Sequence, residues 1–256
     1  MRRKIVVAVV LGLLALAATA MASEFHVKKV VGDLVLEAEG GFKPNALPRH
    51  HDAPIITHGG GKLSTLSGEI PPVLETFDLE FDRHGHVDTT GLPHCTKAKL
   101  VATEVPKARH NCRGSIVGTG FGSAIVALPE QKPFKVGSPI TLFNGPKKGG
   151  DDTILAHAYL SYPGPTTFIV PIVIEKIHHG VYGYRVKARI PKIAGGYGHP
   201  VSGHITVERK WTYKGRKHSY VNARCETGHL QARGEFTFKD GTFLQGTFFR
   251  PCKVLH

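Results

Sequence analysis

Beyond Ser115 the chain is a succession of short extended runs cut by turn residues, and this rhythm narrows the fold more than any other feature. Residues 123–128, 139–143 and 153–160 read as strands. Residues 167–177 and 181–190 read as a hairpin around His179-Gly180. In its second arm Tyr182, Tyr184, Val186, Ala188 and Ile190 fall on one face, and Arg185, Lys187 and Arg189 on the other. Residues 205–213 and 219–225 suggest another hairpin around Lys214 to Lys217. Residues 230–238 and 242–250 turn at Asp240-Gly241, a dipeptide suited to tight hairpins. Earlier, residues 76–82 alternate Phe77, Leu79 and Phe81 against Asp78, Glu80 and Asp82. That is a half-buried strand, with the carboxylates expected on a solvated face. Strands never alternate with helices, so the expected class is mainly β, an antiparallel β-sandwich.

One stretch breaks the pattern. Residues 96–102 hold helix formers, and Pro106 suits the first turn of a second short helix. Cys95 and Cys112 bracket both, predicting a small disulfide-clamped helical lobe over about residues 93–114. The other two cysteines, Cys225 and Cys252, fall at the same end of the last hairpins. The preferred pairing among three is 95–112 with 225–252. Flanking one central strand would leave the second pair about 9.6 Å apart, so the tail after Pro251 must cross inward.

The N-terminus explains why four cysteines suggest two bridges. Arg2, Arg3 and Lys4 precede an apolar run to Ala18 and small residues that permit cleavage after Ala20 or Ala22. Residues 1–22 are therefore expected to be a signal peptide, and residues 23–256 a single exported domain, secreted or associated with the cell envelope. Export means an oxidising environment. Loss of the signal removes three cations and no anions, taking the formal charge from +13 to +10. Such a balance favours anionic partners, here an anionic cell-envelope polymer rather than nucleic acid. No later run is apolar enough to span a bilayer.

The stretch from about Pro48 to Cys252 also resembles a recurrent group of uncharacterised exported proteins of actinobacterial type. The resemblance rests on Gly91-Leu92-Pro93 before Cys95, Val117-Gly118-Thr119-Gly120 after Cys112, Leu142-Phe143-Asn144-Gly145, and the terminal cysteine pair. It implies export and a β-rich fold and supplies no catalytic residue.

Motifs for chemistry are sparse. His84-x-His86, near Asp82, Asp88 and His94, is a weak metal candidate in a chain with 16 histidines. The glycines at 118–122 miss the spacing of nucleotide-binding loops, and no G-x-S-x-G or H-E-x-x-H occurs. No cofactor is implied. Residues 209–220 interleave cations with Trp211, Tyr213 and Tyr220. The polymer-binding candidates are Arg185, Lys187 and Arg189 with Lys214, Arg216 and Lys217, which share one surface if the two hairpins are neighbours. The leading expectation is a non-catalytic exported β protein that associates with the envelope or an anionic extracellular polymer. The alternatives are an exported hydrolase whose site is not visible in the sequence and a weak metal binder through His84/His86.

Overall fold

The computed structural model describes residues 25–255; the expected signal peptide lies outside them. The chain is mainly β. The first strands are β1 (Phe25–Val31), β2 (Leu34–Lys43), β3 (Ala46–Pro48), β4 (Ala53–Pro54), β5 (Ile56–Thr65), β6 (Leu74–Asp82) and β7 (Gly85–Val87). Two short helices follow, α1 (Lys97–Leu100) and α2 (Val105–Asn111). Then come β8 (Ile116–Val126), β9 (Phe134–Asn144), β10 (Asp152–Leu160), β11 (Thr166–His179), β12 (Tyr182–Arg189) and β13 (Gly198–Val207). The chain ends with β14 (Lys210–Tyr213), β15 (Arg216–Ser219), β16 (Val221–Ala223), β17 (His229–Phe238), β18 (Phe243–Pro251) and β19 (Lys253–Leu255).

Twelve of these strands form one antiparallel sheet in the order β1-β2-β5-β13-β8-β9-β10-β11-β12-β6-β17-β18. The sheet curls until its two edges meet, where Phe25 of β1 stacks on Phe248 of β18 at 4.9 Å. The expected packed layers are thus two halves of one sheet, nearly closed into a barrel. Its inner face carries the main core: Val117, Leu142, Ile154, Ile172, Ile174, Ala188 and Val207, with Leu92 and Tyr220 added from one end. No helix among the described residues is long and apolar enough to cross a membrane.

The helical lobe forms as expected and packs on the outside of the wall. Alternation forces this, because Leu142 and Ile154 point inward while Phe143 and Leu155 point out. Leu100 and Ala108, both fully buried, cover Phe143, Leu155 and the Cys95–Cys112 bridge. His157 is sealed beneath them, its Nε2 3.0 Å from the Thr103 carbonyl. Burial holds its imidazole below the ordinary histidine pKa. It is a neutral anchor for the lobe, with no route to solvent.

β1 opens the described residues, and the glycine-rich 40–61 region, a stretch of weak strand propensity, contains the end of β2 and the start of β5 all the same. Pairing overrides propensity here. Gly118 and Gly120 of β8 sit so close to β13 that a Cβ would meet the Thr206 and His204 carbonyls. These strands approach where no side chain fits, and the sheet can turn its corner.

The last pair of cysteines is bridged as preferred, by a different route. β17 and β18 are direct neighbours, with His229 opposite Pro251. Cys225 lies before the turn into β17, bringing its Cα within 6.2 Å of that of Cys252. The tail then pairs in parallel with β3. The expected hairpin of 205–213 with 219–225 is also different. β13 ends at Val207, β14 and β15 form a separate two-stranded sheet, and β16 joins β4 and β7 in a small sheet at the barrel end.

Candidate functional site at the capped barrel end

The end of the barrel where β6 stops and β12 starts is closed by β4, β16 and β7, by the β14–β15 hairpin and by residues 83–93. Tyr220 is the plug. Its ring is fully buried in the core, and its hydroxyl has no partner among the described residues. Burial, with the Asp152 charge adding to it, pushes the phenol well above the ordinary tyrosine pKa. Tyr220→Phe removes an unsatisfied buried hydroxyl and should raise stability by about 1 kcal/mol in urea unfolding. A loss of stability would mean that the hydroxyl has a partner in solution.

The hairpin is docked through its aromatic face. Cross-strand pairing puts Trp211 opposite His218 and Tyr213 opposite Arg216. Trp211 and His218 stack at 5.4 Å, Trp211 Nε1 donates to the Thr90 carbonyl at 3.0 Å, and His218 Nδ1 lies 2.7 Å from Asp88 Oδ2. Burial pushes the Asp88 carboxyl up, but hydrogen bonds from His218 and Thr90 outweigh it and leave it below the usual carboxylate range. Tyr213 lies flat on Gly91, where φ is +67° and a Cβ would run into the ring. Lys210 and Lys217 lie on the other face, Lys214 at the turn and Arg216 across from Tyr213, and all four are exposed. None of the four has a carboxylate within ion-pair distance among the described residues. Trp211 also packs against the main core, and with Tyr213 it belongs to a separate hairpin rather than to a strand continuing β13.

The other cationic group is placed differently. Arg185 donates from Nε and Nη2 to Glu80 Oε1 at 3.0 and 2.6 Å and approaches Glu175 at 3.9 Å. Lys187 lies 3.4 Å from Glu175, and only Arg189 of the three lacks an ion pair among the described residues. Glu80 is 3 % exposed and also meets Arg233 at 3.0 Å and His179 at 3.4 Å. The expected solvated carboxylate face is therefore a row of alternating charge, Glu175–Arg185–Glu80–Arg233, across four neighbouring strands. Nor are the two hairpins neighbours. β14 and β15 form a sheet of their own and pair with neither β11 nor β12, so the two cationic hairpins are not neighbouring strands. Tyr182 also departs from the expected face. Gly183 is an extra residue opposite β6, and this bulge puts Tyr182 beside Asp82 and Arg233.

His84 and His86 diverge. His84 is buried between carboxylates, with Nε2 3.1 Å from Glu226 Oε2 and Nδ1 2.8 Å from Asp82 Oδ1, the latter off the direction of a hydrogen bond. Glu226 pairs in turn with Arg224, which reaches Asp52 at 3.2 Å. His86 is exposed, with Nδ1 3.3 Å from the Tyr184 hydroxyl. Both ring nitrogens of His84 face acids, so it ties the end of β6 to the 224–226 turn. No set of three or more His, Cys, Asp or Glu with metal-binding geometry occurs among the described residues. Among the described residues, none of the three carboxylate-paired histidines, His84, His179 and His218, has a hydroxyl or thiol within hydrogen-bond distance of its ring, the arrangement that activates a nucleophile. All four cysteines are in disulfides.

Sequence reasoning missed a cleft beside the β11–β12 turn. It has a volume of about 380 Å³, and its walls include Arg83, Lys176 and His178 with Tyr182 and Tyr184. Nothing in the alternation of residues 167–177 and 181–190 marks the bulge that opens the cleft.

No family model, no curated protein and no solved structure matches this chain. The site stands on its geometry alone.

Proposed function

We propose that this is an exported, non-catalytic binding protein that holds an anionic extracellular polymer on the β14–β15 hairpin. The observation that carries this reading is the contrast between two sets of cations. Arg185, Lys187 and Arg233 on the wall are neutralised by Glu80, Glu175 and Glu235. Lys210, Lys214, Arg216 and Lys217 are exposed without an acidic partner among the described residues, on a hairpin clamped from beneath by Trp211 and His218. A rigid, unneutralised cationic ridge binds polyanions by ion pairing and counterion release. The paired cysteines support an oxidising destination.

Retention on a sulfated polysaccharide matrix tests the reading. For the parent it should fall steeply between low and physiological salt. Lys214→Gln/Arg216→Gln/Lys217→Gln should elute at lower salt, with a log–log salt slope shallower by about 3. Lys187→Gln/Arg189→Gln should move much less. Retention independent of salt, or equal loss from both variants, would defeat the hairpin assignment.

A further inference from the structure

We infer that the cleft beside the β11–β12 turn is a discrete binding site for a phosphate-type oxyanion, distinct from the hairpin ridge. It deepens the polymer reading by naming the anionic group one subsite takes. Three observations converge on it. The first is shape. The Gly183 bulge and the turn at Gly180, where φ is +61°, open about 380 Å³ between β12, the end of β11 and Arg83. Arg83 is fixed at its backbone by a 2.9 Å hydrogen bond from its N–H to the Val181 carbonyl. This locks the end of β6 against the start of β12.

The second is charge. Arg83, Lys176 and His178 line the cleft, no acid lines it, and none of the three has an ion-pair partner among the described residues. That is unusual on this part of the wall, where cations are otherwise matched. The reason lies in the neighbouring acids. Glu80 is committed to Arg185, Arg233 and His179, while Asp82 accepts from the His84 and Gln231 N–H groups. The carboxylates nearest in sequence to Arg83 face other partners, so the cleft keeps its positive charge.

The third is the supply of neutral donors. Tyr184 lines the cleft from β12, directly opposite Lys176 of β11 in the strand register. A guanidinium, an ammonium, an imidazole and a phenol around one concavity suit a tetrahedral, multiply charged oxyanion with several acceptor lone pairs. They suit a planar apolar ligand poorly.

Inorganic pyrophosphate is the probe, titrated calorimetrically into the full mature chain at constant ionic strength. We expect saturable binding with one site per chain. Arg83→Gln/Lys176→Gln should weaken it at least about tenfold, since two charge-assisted contacts to the oxyanion are lost. The hairpin variant Lys214→Gln/Arg216→Gln/Lys217→Gln should bind pyrophosphate as the parent does while losing polymer retention, so the two readings fail separately. An equimolar sulfate arm separates a phosphate source from a sulfated one, and tighter sulfate binding would reassign the ligand. Binding that is unsaturable, or saturable but unchanged in Arg83→Gln/Lys176→Gln with native circular dichroism, overturns the site.

Discussion

Replacing Cys225 and Cys252 together by Ala should lower the unfolding free energy by about 3–4 kcal/mol, the closure entropy expected for their separation of 27 residues. The corresponding pair at Cys95 and Cys112, separated by 17, should cost about 3 kcal/mol. The C-terminal bridge should have the wider reach. Both its sulfurs sit in a cluster with Phe42, Leu47, Ile55 and Ala223, which joins the barrel end to its cap. The bridge also positions the tail, where the Lys253 N–H bonds to the Asn45 carbonyl and the Arg49 N–H to that of Leu255. Urea unfolding measures the loss. Hydrogen exchange should show the Lys253 and Arg49 amides deprotected in the Cys225 variant and unchanged in the Cys95 variant. Peptide mapping without reduction should recover 95 linked to 112 and 225 linked to 252. A cross-link between the pairs, or an unchanged unfolding midpoint, would contradict the structure.

Glu80→Gln should cost about 2–3 kcal/mol at neutral pH, since it removes the anion on which Arg185, Arg233 and His179 converge. The cations are part-exposed and can rehydrate, which keeps the cost below that of a fully buried pair. Burial pushes the Glu80 carboxyl up, but the Arg185 hydrogen bond and the Arg233 charge outweigh it, so its pKa lies below the ordinary 4.5. The stabilisation is therefore complete above about pH 4.5 and fades as pH falls through the lowered native value. The parent should lose stability over that acid range more steeply than the variant, and the two curves should converge at low pH. Parallel curves down to pH 2 would mean that Glu80 is not the titrating centre.

Much of the wall was legible because half-buried strands advertise themselves. Residues 76–82 and 182–189 alternate over most of their length, Asp240-Gly241 turns where expected, and Pro106 opens α2 within its first turn. What hid was set by partners distant in sequence. β2 and β5 run through glycines because they pair with each other and β5 with β13. A single extra residue at Gly183 reverses Tyr182 and opens the cleft, a change invisible to any count of alternation. The fate of charge hid for the same reason. Arg185 looks identical to Lys214 in the sequence until β6 is placed beside β12 and brings Glu80 beneath it.

The strand order has a consequence for when the sheet can be completed. Apart from the β1–β2 and β17–β18 hairpins, only β8 to β12 neighbour one another in chain order within the large sheet. β5 waits for β13, and β6 waits for β12 and then for β17. A growing chain therefore has no partner for residues 74–82 until residues 182–189 emerge, and residues 56–65 have only β2 on one side until residues 198–207 follow. The edges at β1 and β18 meet only when synthesis is nearly complete. Pairings this distant form slowly, because loop closure must precede any gain from contact. Through most of synthesis the large sheet therefore keeps open edges at β5 and β6. The complete sheet, with its first strand lying against one of its last, closes only once β18 has been made.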